Sequence, residues 1–376
     1  ESEKTALKLA IDAEVAATNL EIDNAKTAEE IDAATLVGEK AVAKEEVKAA
    51  AEDALRAIDE NANLTDDEKA AAKADVYVEL SKAEKAIDKA TTADAIDNAT
   101  LVGEKAFAKE ELEAAADDAK KAIDANTHLT DDQKQAAKKA VDDEVAKAEK
   151  AIDAAKTADA VDAATLVGEK AVAKEELKAA ADDAKAAIDA NDNLTPEEKA
   201  VAKKAVDDEV AKAEKAIDVA KTADAVDTAT LVGEKAVAKE EVKAAAADAK
   251  KAIDAAKQGA KNKLMEEADK AKAAIDANPN LTPEEKAAAK AEIDKAVEEA
   301  IISINGAGTH HALGEIKLPL SALIKPVVTV TPVLDPNNLT EEEIARIKAL
   351  LEENNTFPEG TEIIVSKDAS VSIKYP

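Results

Sequence analysis

The string Ala-Thr-Leu-Val-Gly-Glu-Lys-Ala occurs four times, with Thr35, Thr100, Thr165 and Thr230 in register at intervals of 65 residues. Self-similarity at a fixed period marks a tandem array, in which each unit buries its apolar face on its neighbours. The repeat therefore overrides the two or three globular domains that length alone suggests. The functional question becomes what an array is for.

Composition then limits the core. Hydrophobic residues make up 46% of the chain but aromatics only 1%, so the apolar set is Ala with Ile, Val and Leu. Large aromatic rings supply much of the buried area in compact enzymes; here helices approach closely through Ala and each contact contributes little. The formal net charge of −31 repels phosphates and argues against nucleic acid as a partner. With no Cys, disulfides and thiolate metal sites are excluded, and the redox compartment is left open. No stretch reaches the ~18 apolar residues of a membrane span, and residues 1–30 lack the basic-then-apolar order of a signal peptide. Glu1 aligns with Asp131 inside a repeat helix, and Tyr375-Pro376 directly follow an expected strand. The chain is therefore expected to be an excised segment of a longer protein.

Helix starts are marked by Thr65, Thr130, Thr195 and Thr282, followed three residues later by Glu68, Gln133, Glu198 and Glu285. This is the capping-box pattern, and Pro196 and Pro283 fit the first helical position. Thr340 with Glu343 opens a fifth such helix. In the third copy the spacing predicts a helix from Pro196 to about Ala220, with Ala202, Val206, Val210, Ala213 and Ile217 inward. Lys221-Thr222 reads as a turn with Thr222 as N-cap. A second helix then runs from Ala223 toward Asp254, with Val226, Gly233, Val237, Val242, Ala246, Ala249 and Ile253 inward. Gly233 and its equivalents Gly38, Gly103 and Gly168 cost ~1 kcal/mol each relative to Ala in a helix. Close helix contact is the expected return; a break at the Gly, giving a three-helix unit, is the alternative, and the absence of Pro or Asn beside it argues for continuity.

From Thr195 to Thr282 the interval is 87 residues instead of 65. The extra 22 are two elevens, which lengthen a helix and keep its phase to within ~40°. Ile253 and Ile275 share an Ala-Ile-Asp-Ala context at that separation, and Gly259 is a candidate kink. After Ile304 the Gly- and Pro-rich composition marks a linker. Residues 326–376 then read as strand (Val327–Val333), helix (Thr340 to about Glu353), and a hairpin of Thr361–Val365 with Val371–Tyr375.

The expected class is mainly α: tandem antiparallel helical repeats, elongated or solenoidal, followed by a small β-α-β-β module. The expected units are 1–64 (N-terminally truncated), 65–129, 130–194 and 195–281 with the 22-residue extension, then a terminal helix 282–304, a linker 305–325 and the module 326–376.

Motifs that usually carry chemistry fail on inspection. Asn63, Asn193, Asn280, Asn338 and Asn98 open glycosylation-like triplets, but in the first four the Thr already caps a helix. Asp189-Ala-Asn191-Asp-Asn193 resembles the opening of a calcium loop, yet Leu194 stands where Gly is needed and Ala200 where a bidentate Glu belongs. His310-His311 lies in the linker and His128 in a helix–helix turn, without the ligand spacing of a zinc site. No phosphate loop, nucleophile elbow or His with a nucleophile partner is present. The many carboxylates at helical intervals read as a solvated face. The expectation is no enzyme, no catalytic, metal or cofactor residue, and no small-molecule substrate.

Residues 275–294, Ile-Asp-Ala-Asn-Pro-Asn-Leu-Thr-Pro-Glu-Glu-Lys-Ala-Ala-Ala-Lys-Ala-Glu-Ile-Asp, join caps, turn and helix in order. With the Lys-Thr-Ala-Asp-Ala-Val-Asp and Gly-Glu-Lys-Ala of earlier copies, they resemble the Ala-rich helical repeats, of unknown function, in giant wall-anchored surface proteins of Gram-positive bacteria. The resemblance covers residues 1 to about 304. Asp335-Pro-Asn-Asn-Leu-Thr-Glu-Glu-Glu, Phe357-Pro-Glu-Gly-Thr and Ser372-Ile-Lys-Tyr-Pro resemble the small α/β modules that follow such arrays. The resemblance implies an extracellular, wall-attached stalk that projects a distal binding region. The alternative is an array that itself binds a host or matrix protein, or another copy of itself in cell–cell adhesion or biofilm. A lateral stack favours a binding surface, and end-to-end units favour a spacer.

Overall fold

The structure is a computed structural model that describes residues 2–279, 281–307, 331–355, 357 and 360–374. Among them short and long helices alternate: α1 (Ser2–Asn24), α2 (Ala28–Glu60), α3 (Asp66–Lys89), α4 (Ala93–Ala125), α5 (Asp131–Ala154), α6 (Ala158–Asp189), α7 (Pro196–Val219), α8 (Ala223–Ala277) and α9 (Pro283–Gly306). A further helix, α10 (Glu341–Asn354), precedes strands β1 (Glu362–Val365) and β2 (Val371–Lys374). The chain forms two compact units, Glu1–Ala247 and Asp248–Pro376.

The five expected capping boxes all close, as in Thr65, whose N–H donates to Glu68 Oε2 at 2.9 Å while its hydroxyl accepts from the Glu68 N–H at 3.4 Å. Thr222 also caps as expected, its hydroxyl accepting from the Ala225 N–H at 3.3 Å. Each long helix is continuous through its Gly, and the three-helix alternative falls away. The 22 extra residues extend α8 to 55 residues with no break at Gly259.

In the first unit the long helices α2, α4 and α6 pack side by side, and short helices sit between them: α3 touches α2 and α4, and α5 touches α4 and α6. The Gly residues are the joints of this stack. A Cβ added to Gly168 would lie 2.6 Å from Ala148 Cβ and 3.0 Å from Leu112 Cδ1, and one on Gly233 2.5 Å from Ala213 Cβ and 3.0 Å from Leu177 Cδ1. The close contact expected of these glycines is what they make. Leu112 stands nine positions beyond Gly103, the equivalent of Gly168, so α6 is displaced along α4 by nine residues, roughly 13 Å. Gly103 meets Val47 and Gly233 meets Leu177 with the same offset.

The inward stripe of α7 is as expected, with Val206, Ala213 and Ile217 buried and Ala202 and Val210 packed against them. That of α8 holds only through Val237: Val242 is 67% exposed, and Ala246 and Ala249 are exposed too. The equivalents Val47, Leu112 and Leu177 are fully buried because the Gly of the next long helix lands on each. No fifth Gly-Glu-Lys copy follows in the sequence to cover Val242.

In the second unit Leu264, Ala268, Ala271 and Ile275 of α8 pack with Ile293, Ala300 and Ile304 of α9. Leu264 is 22 residues beyond Val242, so the insertion supplies a second copy of that position to a second partner. The terminal module gathers Leu339, Leu351, Ile363 and Val365 with Ile344, Ile347 and Ile373. Its hairpin is antiparallel, with Glu362 opposite Lys374 and Val365 opposite Val371. Of the expected first strand, Thr331–Val333 are not extended pairs, and 327–330 lie outside the described residues.

Candidate functional site

The surface with the most unusual chemistry is the inner face of the first unit. The nine-residue stagger places Glu104 beside Glu46, Glu169 beside Glu111 and Glu234 beside Glu176. Each pair joins two carboxylates that stand seven positions apart in one copy, on the same side of their helix. Asp162 approaches Glu104 and Glu111, and Asp227 approaches Glu169 and Glu176. A cavity of about 530 Å³ opens among α2, α4, α6 and the start of α8. Its wall carries Asp53, Glu104, Glu111, Asp162, Glu169 and Asp224 against the cations Arg56 and Lys221.

Three successive staggers bring the start of the fourth long helix level with the end of the first. Glu60, the last residue of α2, accordingly shares a hydrogen bond with Asp224 in the first turn of α8. The four long helices coil around this cavity.

Burial here departs from the solvated face expected of the carboxylates. Glu169 is only 7% exposed, and Glu111 and Glu176 are half-buried. Loss of water pushes Glu104 up to about 7, with Glu46 and Asp162 adding to it. Burial first, and Glu234 second, push Glu176 to about 8; burial with Asp118 and Asp224 raises Asp227 to about 6. Glu111 and Glu169 hydrogen-bond to each other and both are raised, first by burial. Two carboxyls in that contact hold one proton between them. The signal that composition hid was the pair of Glu residues seven apart in every copy, readable only once the stagger is known.

A second recurring contact ties neighbouring copies. Asp183 of α6 is 9% exposed and accepts from the N–H groups of His128 and Leu129 at 2.5 and 3.0 Å. Asp118 does the same for Asn63 and Leu64, at 2.5 and 3.1 Å. His128 thus stands where another copy has Asn, its Nδ1 3.2 Å from Asp183 Oδ2. Lys40, Lys105, Lys170 and Lys257 each donate to a carbonyl 48 residues on, at the C-terminal end of the following short helix. The calcium-like Asp189 is engaged by Lys203 at 2.8 Å. Among the described residues no group of three or more His, Asp or Glu is placed to hold a metal ion, and no helix is long and apolar enough to cross a membrane. His310 and His311 lie outside the described residues.

Four stretches, residues 39–107, 104–172, 169–233 and 256–331, match the model of the Domain of Unknown Function (DUF1542), and residues 322–376 match the Atypical Rib domain. The chain belongs to the DUF1542 family. Three of the matched stretches begin at the Glu after the joint Gly and the fourth at Ala256, and the gap between the third and fourth, residues 234–255, has the 22-residue length of the insertion. No curated protein and no solved structure matches the chain. The resemblance drawn from the sequence, tandem helical repeats of surface proteins followed by a small module, holds. The DUF1542 and Rib-like domains suggest a surface-protein repeat region and an extracellular location, and neither family is an enzyme family.

Proposed function

We propose that this DUF1542 chain is a stalk or spacer segment of a Gram-positive, wall-attached adhesin, projecting a distal binding region from the cell. The supporting observation is that one joint is reused. The Gly contact recurs in the four copies of the first unit, and the Lys-to-carbonyl bond at 48 residues recurs in the second unit as well. A spacer needs a repeatable joint and no unique surface, and repeat stability is then a sum of near-identical units and interfaces. Deleting residues 105–169, one period cut at equivalent positions, should leave a helical, cooperatively folding chain with a smaller radius of gyration. Loss of folding on that deletion contradicts the reading.

A second reading, an array that itself binds a host or matrix protein or another copy of itself, draws support from the side-by-side packing and the cavity inside the coil. Saturable association of the whole chain with a purified matrix protein supports it, and absence of association at any salt concentration counts against it.

A further inference from the structure

We propose that the first unit is a proton-operated coil: the carboxyl pairs Glu111–Glu169 and Glu60–Asp224 hold the long helices together while each pair carries one proton, and let them spread when both members ionise. This goes beyond the spacer reading and does not depend on it.

Glu111–Glu169 bridges consecutive helices α4 and α6, and Glu60–Asp224 bridges the first long helix to the fourth, closing the coil. One cation, Arg56, acts on a member of each pair, Glu60 and Glu111, and it also donates to Asp53 at 2.6 Å. The groups facing them from α2 are Asp53 and Arg56; from α4, Glu104 and Asp118; from α6, Asp162 and Glu176; and from the α8 start, Lys221 and Asp227. These six carboxylates outnumber the two cations, Arg56 and Lys221. An ionised Glu111–Glu169 pair repels across a seam where water is scarce, Glu60 and Asp224 meet at its exposed rim, and a half-protonated pair is in each place a hydrogen bond between long helices. The long helices are already close at this seam, with Gly168 of α6 against Leu112 of α4 and Gly233 of α8 against Leu177 of α6. Repulsion is relieved by opening of the coil.

The sign follows from linkage. These groups are raised above their ordinary range in the folded chain, so their contribution is fully present below that range and fades as pH rises through about 6 for Asp227, about 7 for Glu104 and about 8 for Glu176. Glu111, Glu169 and Glu60 move in the same direction. Exposed carboxylates with lowered values, such as Glu68 and Asp143 beside lysines, titrate below this window and oppose the trend only in stronger acid.

The test is thermal unfolding and small-angle scattering of the full chain at about pH 5.5 and about pH 8.5 in about 0.15 M salt, with hydrogen exchange assigning the transition to the first unit. The expected result is a midpoint at least about 4 °C higher, and a smaller radius of gyration, at the lower pH. Glu169→Gln keeps a donor toward ionised Glu111 and should cut the pH shift by about half or more. Asp224→Asn, at the solvent-facing rim, serves the same purpose should Glu169→Gln fail to fold. Equal midpoints at both pH values, a higher midpoint at the higher pH, or a full shift retained in the folded variants overturns the proposal.

Discussion

Leu177 and Val242 hold the same position in successive copies, yet one is fully buried and the other 67% exposed. The residues are alike; the neighbours differ. Gly233 of the next long helix settles on Leu177, whereas after Val242 the repeat is interrupted by 22 residues and no further Gly-Glu-Lys copy arrives. A core position in this array is made by the following copy. Helical periodicity marks the stripe on which it lies, and the period of the array decides whether it is filled.

The sharpest way to break that comparison is to shorten both side chains. Leu177→Ala should lower the unfolding free energy of the first unit by about 2–5 kcal/mol, and Val242→Ala should stay within about 0.5 kcal/mol of the parent. Equal losses in chemical denaturation contradict the distinction. Next in size is the tie between copies: Asp183→Ala strands the N–H groups of His128 and Leu129, at a cost of about 1–3 kcal/mol. Asp182→Ala, one residue away and exposed, should cost little. The glycines then compare array with insertion directly. Gly168→Ala drives a methyl into Ala148 and Leu112, and even after the ~1 kcal/mol gained in helix propensity it should destabilise by about 1–2 kcal/mol. Gly259 faces open space, so Gly259→Ala should stabilise α8 by up to about 1 kcal/mol. The smallest effect belongs to the terminal hairpin: Ala369 sits at φ 60°, where Gly carries no Cβ penalty, and Ala369→Gly should stabilise the module by on the order of 0.5 kcal/mol. Each value is read from urea midpoints, with the two units followed separately by hydrogen exchange.

Most of the helical architecture was legible because its signals are local. A Thr hydroxyl with Glu or Gln three residues on satisfies its own helix start, and the missing Pro or Asn beside Gly38, Gly103, Gly168 and Gly233 was enough to infer continuous helices. The insertion was legible as well, since two elevens nearly preserve helical phase. What could not be read was the axial stagger. Nine residues of displacement depend on a methyl of Ala148 and the branched end of Leu112 filling the space left by Gly168, a three-body fit that no single window contains. The carboxylate pairs depend on that stagger, which is why Glu111 and Glu169 read as solvated residues until their helices were placed. Val242 was misassigned for the same reason, because its helix has the right period and lacks only the next copy.

Successive copies of the first unit lie side by side with a constant stagger. The chain has no native Cys, so spin labels at Val102→Cys and Val167→Cys, both exposed positions, report one distance without interference. With helix axes about 10 Å apart and a displacement of about 13 Å along them, the labels should fall within roughly 25 Å of each other. A distance near the roughly 50 Å length of a long helix would mean that the copies run end to end, and would contradict the account.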